Sequence, residues 1–283
     1  MTQWNWESIW PAPAKLNLFL HVVGRRADGY HLLQTVFRFI DRQDSLRFES
    51  RPDGLISLAT PIPGVPPESD LTVRAAQLLR QHTGCQKGVT IYLDKQLPMG
   101  GGLGGGSSDA ATVLLALNHL WQTGLSRPTL EKLGLALGAD VPVFIHGRNT
   151  FAEGIGEAFT DIDLPPASYL VLEPAAHVPT AAIFTAPELR RNTPIILPTD
   201  WQPGNGSNDL EAVACTHFPA VAAQLAWLRQ HAPNAMMTGS GACVFASFAD
   251  AESAAAVLAK LPADQRGWLA QGLNAHPLAQ LQV

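Results

Sequence analysis

Cysteine is scarce in this chain: Cys85, Cys215 and Cys243 are the three in 283 residues. The count is odd and no Cys-x-x-Cys pair occurs, so neither a disulfide framework nor a cysteine zinc site is expected. Buried free thiols in a reducing cytoplasm are the expectation instead. Long apolar runs are lacking too. No stretch reaches the ~18 uninterrupted apolar residues of a membrane span. Met1 to Trp10 has neither the basic nor the apolar region of a secretion signal. An excess of positive charge is also missing, with 19 Lys and Arg against 24 Asp and Glu and a net charge of -5. The global electrostatic footprint of a nucleic-acid binder is therefore absent. A small anion remains possible, because backbone N–H groups and one or two lysines hold phosphate without any global charge. No internal repeat is visible.

Apolar residues are plentiful, at 46% against 15% charged. This is a globular composition with ample core material. The length suits one large domain or two ordinary ones. Residues 12–23 alternate, with Leu16, Leu18, Leu20 and Val22 on one side and Lys15, Asn17, Phe19 and His21 on the other. That predicts a strand with one buried face. After the Asp28-Gly29 turn signal, strands are expected within 32–40 and 45–50, then at 54–59. A proline-rich loop over 60–67 precedes a helix over 71–81, for which Asp70 is the cap candidate. A strand over 88–94 follows. Residues 107–121 are apolar on nearly every side and predict a buried helix. Another helix is expected over 128–137, with Pro128 in its first turn and Gly138 past its end. The pattern breaks at 161–166. Beyond it come a strand at 168–173, a long polar connection at 186–206 and helices near 208–215 and 219–231. A loop at 237–241, a strand at 242–248, a helix at 250–261 and a strand near 268–274 complete the reading. Strands and helices without regular βαβ alternation indicate α+β in two lobes, divided as 1–162 and 163–283.

The main chemical signal is a glycine run, Gly100-Gly101-Gly102-Leu103-Gly104-Gly105-Gly106, with six glycines in seven positions. It opens directly into the buried helix. Without Cβ atoms the backbone wraps closely round a ligand, and the helix adds its free N-terminal donors and positive dipole end. Phosphate is the usual occupant of such a cradle. Ser107 and Ser108 are each able to cap the helix, or to meet phosphate or a Mg²⁺-bound water. The run is not a Walker A loop, because Ser107 stands where lysine is required. The G-x-G-x-x-G reading at Gly100, Gly102 and Gly105 lacks the second strand and acidic residue of a dinucleotide fold.

The string Leu97-Pro98-Met99-Gly100 through Ser107-Ser108 resembles the phosphate loop of the GHMP kinases, and in particular the branch acting on a cytidine-diphosphate-linked methylerythritol. Three further stretches are similar to that family: Pro13 to Leu18 with Arg26 to His31, Leu137 to Pro142, and Thr238 to Cys243. With Phe151 to Glu157 and Pro187 to Pro194 they spread the resemblance over most of residues 11–248. The resemblance implies an N-terminal lobe like ribosomal protein S5 and a ferredoxin-like C-terminal lobe, with the site in the cleft between them. It implies ATP and Mg²⁺ as cofactors, and phosphorylation of the 2-hydroxyl of the acceptor in non-mevalonate isoprenoid synthesis. The loop Pro98 to Ser108 would bind ATP. Lys15 and Asp140 would be catalytic. Asn17, Tyr30, His31, Thr180, Phe184, Gly239 and Ser240 would bind substrate, with His31 at the cytosine edge and Phe184 stacked on the ring. No protein-held metal is expected. The partner is a small molecule, with no nucleic acid and no membrane, and the chain is expected to be a cytoplasmic monomer or weak homodimer.

By themselves several of these residues read differently. Lys15 suits a solvated strand position, Asp140 a cap for the turn at Pro142, Phe184 the core, and Thr238 to Gly241 an ordinary turn. Asp70 and Asp109 depart from the family pattern, which shows Asn at both positions. Asp70 puts adenine contacts in question. Asp109 would compete with phosphate unless it turns away or helps hold Mg²⁺.

Overall fold

The computed structural model describes residues 4–282. Met1 to Gln3 of the amino-terminal stretch considered above lie outside them. The first sheet has six strands, β1 (Trp10–Arg25), β2 (His31–Arg51), β3 (Ile56–Leu58), β4 (Gly88–Asp94), β5 (Thr150–Glu153) and β6 (Ala158–Asp161). The two strands expected over 32–40 and 45–50 are one strand of 21 residues, β2. Its length lets it pair with β1 along most of its course, with β5 near its start and with β4 near its end. The sequence pattern gives no signal for the hairpin of β5 and β6.

Four helices cover this sheet: α1 (Leu71–Thr83), α2 (Gly105–Trp121), α3 (Arg127–Leu135) and α4 (Val141–His146). Asp70 caps α1 as expected, accepting from Thr72 N and Val73 N. Burial of α2 is nearly complete from Ser108 to Leu117, and it packs with Trp10, Phe39, Ile91 and Phe144 in one apolar cluster. Each fully buried leucine there contributes roughly 1.5–3 kcal/mol, which fixes the end of the helix from which the glycine run emerges.

The second sheet is antiparallel, with β7 (Ser168–Glu173), β8 (Met236–Met237), β9 (Val244–Phe248) and β10 (Arg266–Gln271) in the order β10-β7-β9-β8. With it run α5 (Thr180–Thr185), α6 (Glu211–His217), α7 (Pro219–His231) and α8 (Ala251–Leu258). The expected long connection before α6 carries no helix or strand.

Strand β1 joins the two layers, and here the simple alternation fails. Both of its faces are buried: Lys15, Asn17, Phe19 and His21 are as enclosed as Leu16, Leu20 and Val22. The pairing register shifts between Asn17 and Leu20, which reverses the side-chain alternation. Leu16 packs against the second sheet, Phe19 with Trp201 and Phe151, and Leu20 and Val22 with the helices of the second layer. The tail after β10 returns to the first layer. Leu278 and Leu281 join its core, and Arg127 donates to the carbonyls of Ile145, Leu278, Ala279 and Leu281.

Candidate active site

A cavity of about 950 Å³ opens between the layers. It is lined by Lys15, Asn17, Tyr30, His31, Pro98 to Ser107, Asp140, Thr180, Phe184, Gly239 and Ser240. The structure thus brings together every sequence-derived site residue except Ser108. Ser108 is fully buried, and its Oγ meets no hydrogen-bond partner among the described residues. Neither serine caps the helix: Gly104, at φ +73°, is the cap residue, so α2 begins two residues earlier than expected. An αL cap favours glycine, and a Cβ at Gly104 would lie 2.9 Å from Phe144 and 3.1 Å from Lys15 Cε. Ser107 and Ser108 consequently sit one turn inside the helix, one toward the cavity and one toward the core.

The two glycine loops do not face each other across a gap. They are hydrogen-bonded, with Ala242 N donating to Gly100 O at 3.0 Å and Cys243 N to Gly101 O at 3.1 Å. A Cβ at Gly102 would stand 2.1 Å from Thr238 O, so glycine is required for this approach. Asn208 supports the second loop from behind, donating to Met237 O and Gly239 O, both at 2.8 Å.

At the floor of the cavity the Lys15 ammonium is almost fully enclosed. It donates to Asn17 Oδ1 at 2.6 Å and Gly102 O at 3.1 Å, and lies 3.3 Å from Asp140 Oδ2. The solvated reading of Lys15 is therefore overturned. So is the cap reading of Asp140, whose carboxylate makes no capping bond to α4 although it occupies the N-cap position. Its side chain is 37% exposed, toward the cavity that it lines. Asn17 is fixed by bonds to Thr35 and Thr238, so strand β1, the glycine loop and the second loop all register on one lysine.

Lys95 was not singled out from sequence. It lines the cavity beside Gly105 and bridges two buried carboxylates, Asp44 and Asp109, the latter at 2.8 Å. Asp44 also accepts from Gln96 N and Leu97 N, which anchors the entry to the glycine run. Asp109 has turned away from the cradle toward Lys95. Burial raises its carboxyl above the usual range; Lys95 opposes that rise and Asp44 adds to it. Burial works against the Lys95 ammonium, but the two carboxylates more than offset it. A cation five residues upstream of the glycine run was the available signal. Asp70 spends its carboxylate on Thr72 and Val73, so it is committed to the α1 cap at the cavity wall.

At the opposite end, Tyr30 is 59% exposed, and the His31 and Phe184 rings stand 5.0 Å apart at 36°. Phe184 belongs to the short helix α5 and lines the cavity while packing on the second core. Thr180 and Ser240 share a hydrogen bond at 2.8 Å on the rim. The arrangement has three parts: an amide-rich cradle at a helix start, an ammonium–carboxylate pair, and an aromatic rim.

Comparison with known proteins places these features. The model of the GHMP kinases N terminal domain matches residues 70–148, and that of the GHMP kinases C terminal domain matches 201–266. The 4-diphosphocytidyl-2-C-methyl-D-erythritol kinase of Dechloromonas aromatica (strain RCB) is 77% identical over 96% of this chain and 100% of its own length. The protein of the same name from Ralstonia nicotianae is 58% identical, covering 96% of both chains. A crystal structure of 4-(cytidine 5'-diphospho)-2C-methyl-D-erythritol kinase superposes with a TM-score of 0.81 at 35% identity, over 94% of this chain and 99% of that one. Among the described residues no helix is long and apolar enough to cross a membrane. With the two-layer fold, the double glycine loop and these identities in hand, the chain belongs to the 4-diphosphocytidyl-2-C-methyl-D-erythritol kinase family of the GHMP kinases and is a kinase.

Proposed function

We propose that this kinase transfers the γ-phosphoryl group of ATP to the 2-hydroxyl of 4-diphosphocytidyl-2-C-methyl-D-erythritol, a step of non-mevalonate isoprenoid synthesis, giving the 2-phosphate and ADP. The observation that carries this reading is the 3.3 Å Lys15–Asp140 pair, set between the glycine cradle and the His31–Phe184 rim. The nucleotide triphosphate lies along Pro98 to Ser107, its charge met by loop N–H groups and the start of α2. The apolar wall of Ile62, Val65, Leu71 and Leu93 receives the adenosine end. The cytosine stacks on Phe184 at the rim, where such stacking contributes ~1–3 kcal/mol. Asn17, Tyr30, Thr180, Gly239 and Ser240 orient the acceptor. The lobes are divided at 162/163, with the tail crossing back.

In the reaction Asp140 takes the proton of the acceptor hydroxyl. The hydroxyl oxygen bonds to the γ-phosphorus while the bond to the β,γ-bridging oxygen breaks, and ADP leaves with that electron pair. Lys15 offsets the developing negative charge from 3.3 Å beside Asp140. Phosphoryl transfer draws mainly on this positioning and charge stabilisation.

Among the described residues no cluster of three or more His, Cys, Asp or Glu side chains is placed to hold a metal. A Mg²⁺ ion would be carried on the triphosphate, the usual mode for this ion. Ser107 would meet its hydration shell, and the ion would neutralise phosphate charge.

The test is incubation with Mg-ATP and the cytidine-linked acceptor, reading ADP and a product one phosphoryl group heavier. Both should appear, and methylerythritol phosphate without cytidine should give neither. Turnover of mevalonate, homoserine or a sugar in place of the cytidine compound would overturn the acceptor.

A further inference from the structure

Arg191 lies in the irregular connection between α5 and α6 and makes no ion pair among the described residues. Its guanidinium instead holds four acceptors. Nη1 donates to Leu189 O at 2.9 Å, Nη2 to Phe184 O at 3.0 Å and Ala186 O at 2.7 Å, and Nε to His31 Nε2 at 3.0 Å. Two of these carbonyls, those of Phe184 and Ala186, close the end of α5, where backbone oxygens lack helical partners. The same side chain therefore sets both aromatic members of the rim: the helix end that carries Phe184, and the ring of His31.

The bond to His31 has a chemical consequence. Arginine is a donor only and does not give up its proton near neutrality. Its partner nitrogen must then offer a lone pair, so His31 Nε2 is unprotonated. The imidazole is neutral with its proton on Nδ1, since protonation of Nε2 would set two N–H groups against each other. The surroundings agree: burial, Arg191 and Arg25 all disfavour the charged ring. Among the described residues Nδ1 has no hydrogen-bond partner, while His31 lines the cavity. Toward a bound base the ring is thus a donor and not an acceptor. Cytosine and uracil differ at this point, because N3 of cytosine accepts a hydrogen bond and N3 of uracil donates one.

We propose that Arg191 is a positioning residue for base selection: it locks His31 in the Nδ1–H tautomer, and this fixed donor admits cytosine and rejects uracil. The inference rests on the reading that the acceptor carries a cytidine diphosphate.

Two measurements test it. The first needs no substrate. In the full chain with ¹⁵N-labelled histidine, the His31 signals are identified by their loss in His31→Gln. Between pH 6 and 8 they should show a protonated Nδ1 and an unprotonated Nε2. Arg191→Met should convert them to an averaged pair, and Arg191→Lys should retain part of the preference. A His31 protonated on Nε2 in the native chain, or one unaffected by Arg191→Met, overturns the proposal. The second measurement compares cytidine- and uridine-linked acceptors. The native enzyme should favour the cytidine compound. Arg191→Met should cut that preference about tenfold or more, mostly through KM, as expected when a polar site loses its fixed donor. Binding of an ATP analogue, unchanged in the variant, shows that the fold is intact. A preference that survives Arg191→Met overturns base selection by this route. If neither acceptor is phosphorylated, the substrate reading falls and base selection falls with it, whereas the tautomer result then shows whether the Arg191–His31 lock itself was right.

Discussion

Two lysines line the same cavity and are built in opposite ways. Lys15 is enclosed, but it has one carboxylate partner, Asp140, which is partly open to the cavity; its other contacts are neutral oxygens and the face of Phe37. Lys95 sits between two carboxylates that are themselves nearly inaccessible, Asp44 and Asp109. The first pair has an acid–base group free to meet a ligand. The second is charge-saturated and anchors backbone, since Asp44 also holds Gln96 N and Leu97 N. Residue type and cavity are shared; the number and burial of the countercharges separate a chemical role from a scaffolding one. A buried charge is tolerated when paired and costs several kcal/mol when its partner is taken away.

The largest effect that sharpens this contrast is expected at Asp140. If Asp140 is the proton acceptor, Asp140→Asn keeps the shape and kcat should fall about 10²–10⁴-fold; it also leaves Lys15 without a countercharge, but the partial exposure of Asp140 to the cavity should make the stability loss smaller than at Lys95, as read by steady-state kinetics and denaturant titration. Lys95→Met should do the reverse in kind. It leaves two carboxylates buried together and should lower unfolding free energy by roughly 3–5 kcal/mol in denaturant titration. Asp109→Asn, which removes one charge and keeps the hydrogen-bonding shape, should cost much less. Equal stability losses from Asp140→Asn and Lys95→Met would break the distinction.

A third buried base extends the comparison to a group that stays uncharged. His276 is enclosed between Phe39 and Phe144, and burial, with Arg127 nearby, depresses its pKa to about 3. Its unfolded value is ~6.5. Between these values the unfolded chain binds the extra proton, so stability falls as pH drops below 6.5 and the loss is complete only near the folded value. The contribution is at most about 1.4 kcal/mol per pH unit. His276→Leu should flatten stability against pH across that window, measured by denaturant titration at several pH values. The smallest effect concerns Arg38, which is fully buried with no hydrogen-bond partner for its guanidinium among the described residues. Arg38→Met should raise stability by about 1–3 kcal/mol while leaving ATP-analogue binding unchanged. A loss of stability there would mean that countercharge does not govern these sites.

Much of the fold was legible because local rules agree with tertiary needs. The Asp70 cap, the buried body of α2 and strand β7 stand where pattern and propensity put them. The glycine run was legible because so many residues without Cβ mark a place where backbone itself lines a cavity. The β1 alternation misled after Asn17, since a register shift depends on what the neighbouring strand presents. Lys95 and Arg191 escaped notice because a lone cation on a loop has no local signature. Their partners lie at Asp44 and His31, distant in sequence and joined only when the layers close.

By itself the sequence determined the class of the chain: a glycine cradle feeding a buried helix, a lysine and an aspartate in companion motifs, and an interior rich enough for two layers. Tertiary structure alone decided the charge environment of each group. Sequence sets which side chains exist, but burial and countercharge are sums over neighbours from both layers. Those sums gave Lys15 a partly open carboxylate partner, set Lys95 between two buried ones, and turned Asp109 toward Lys95.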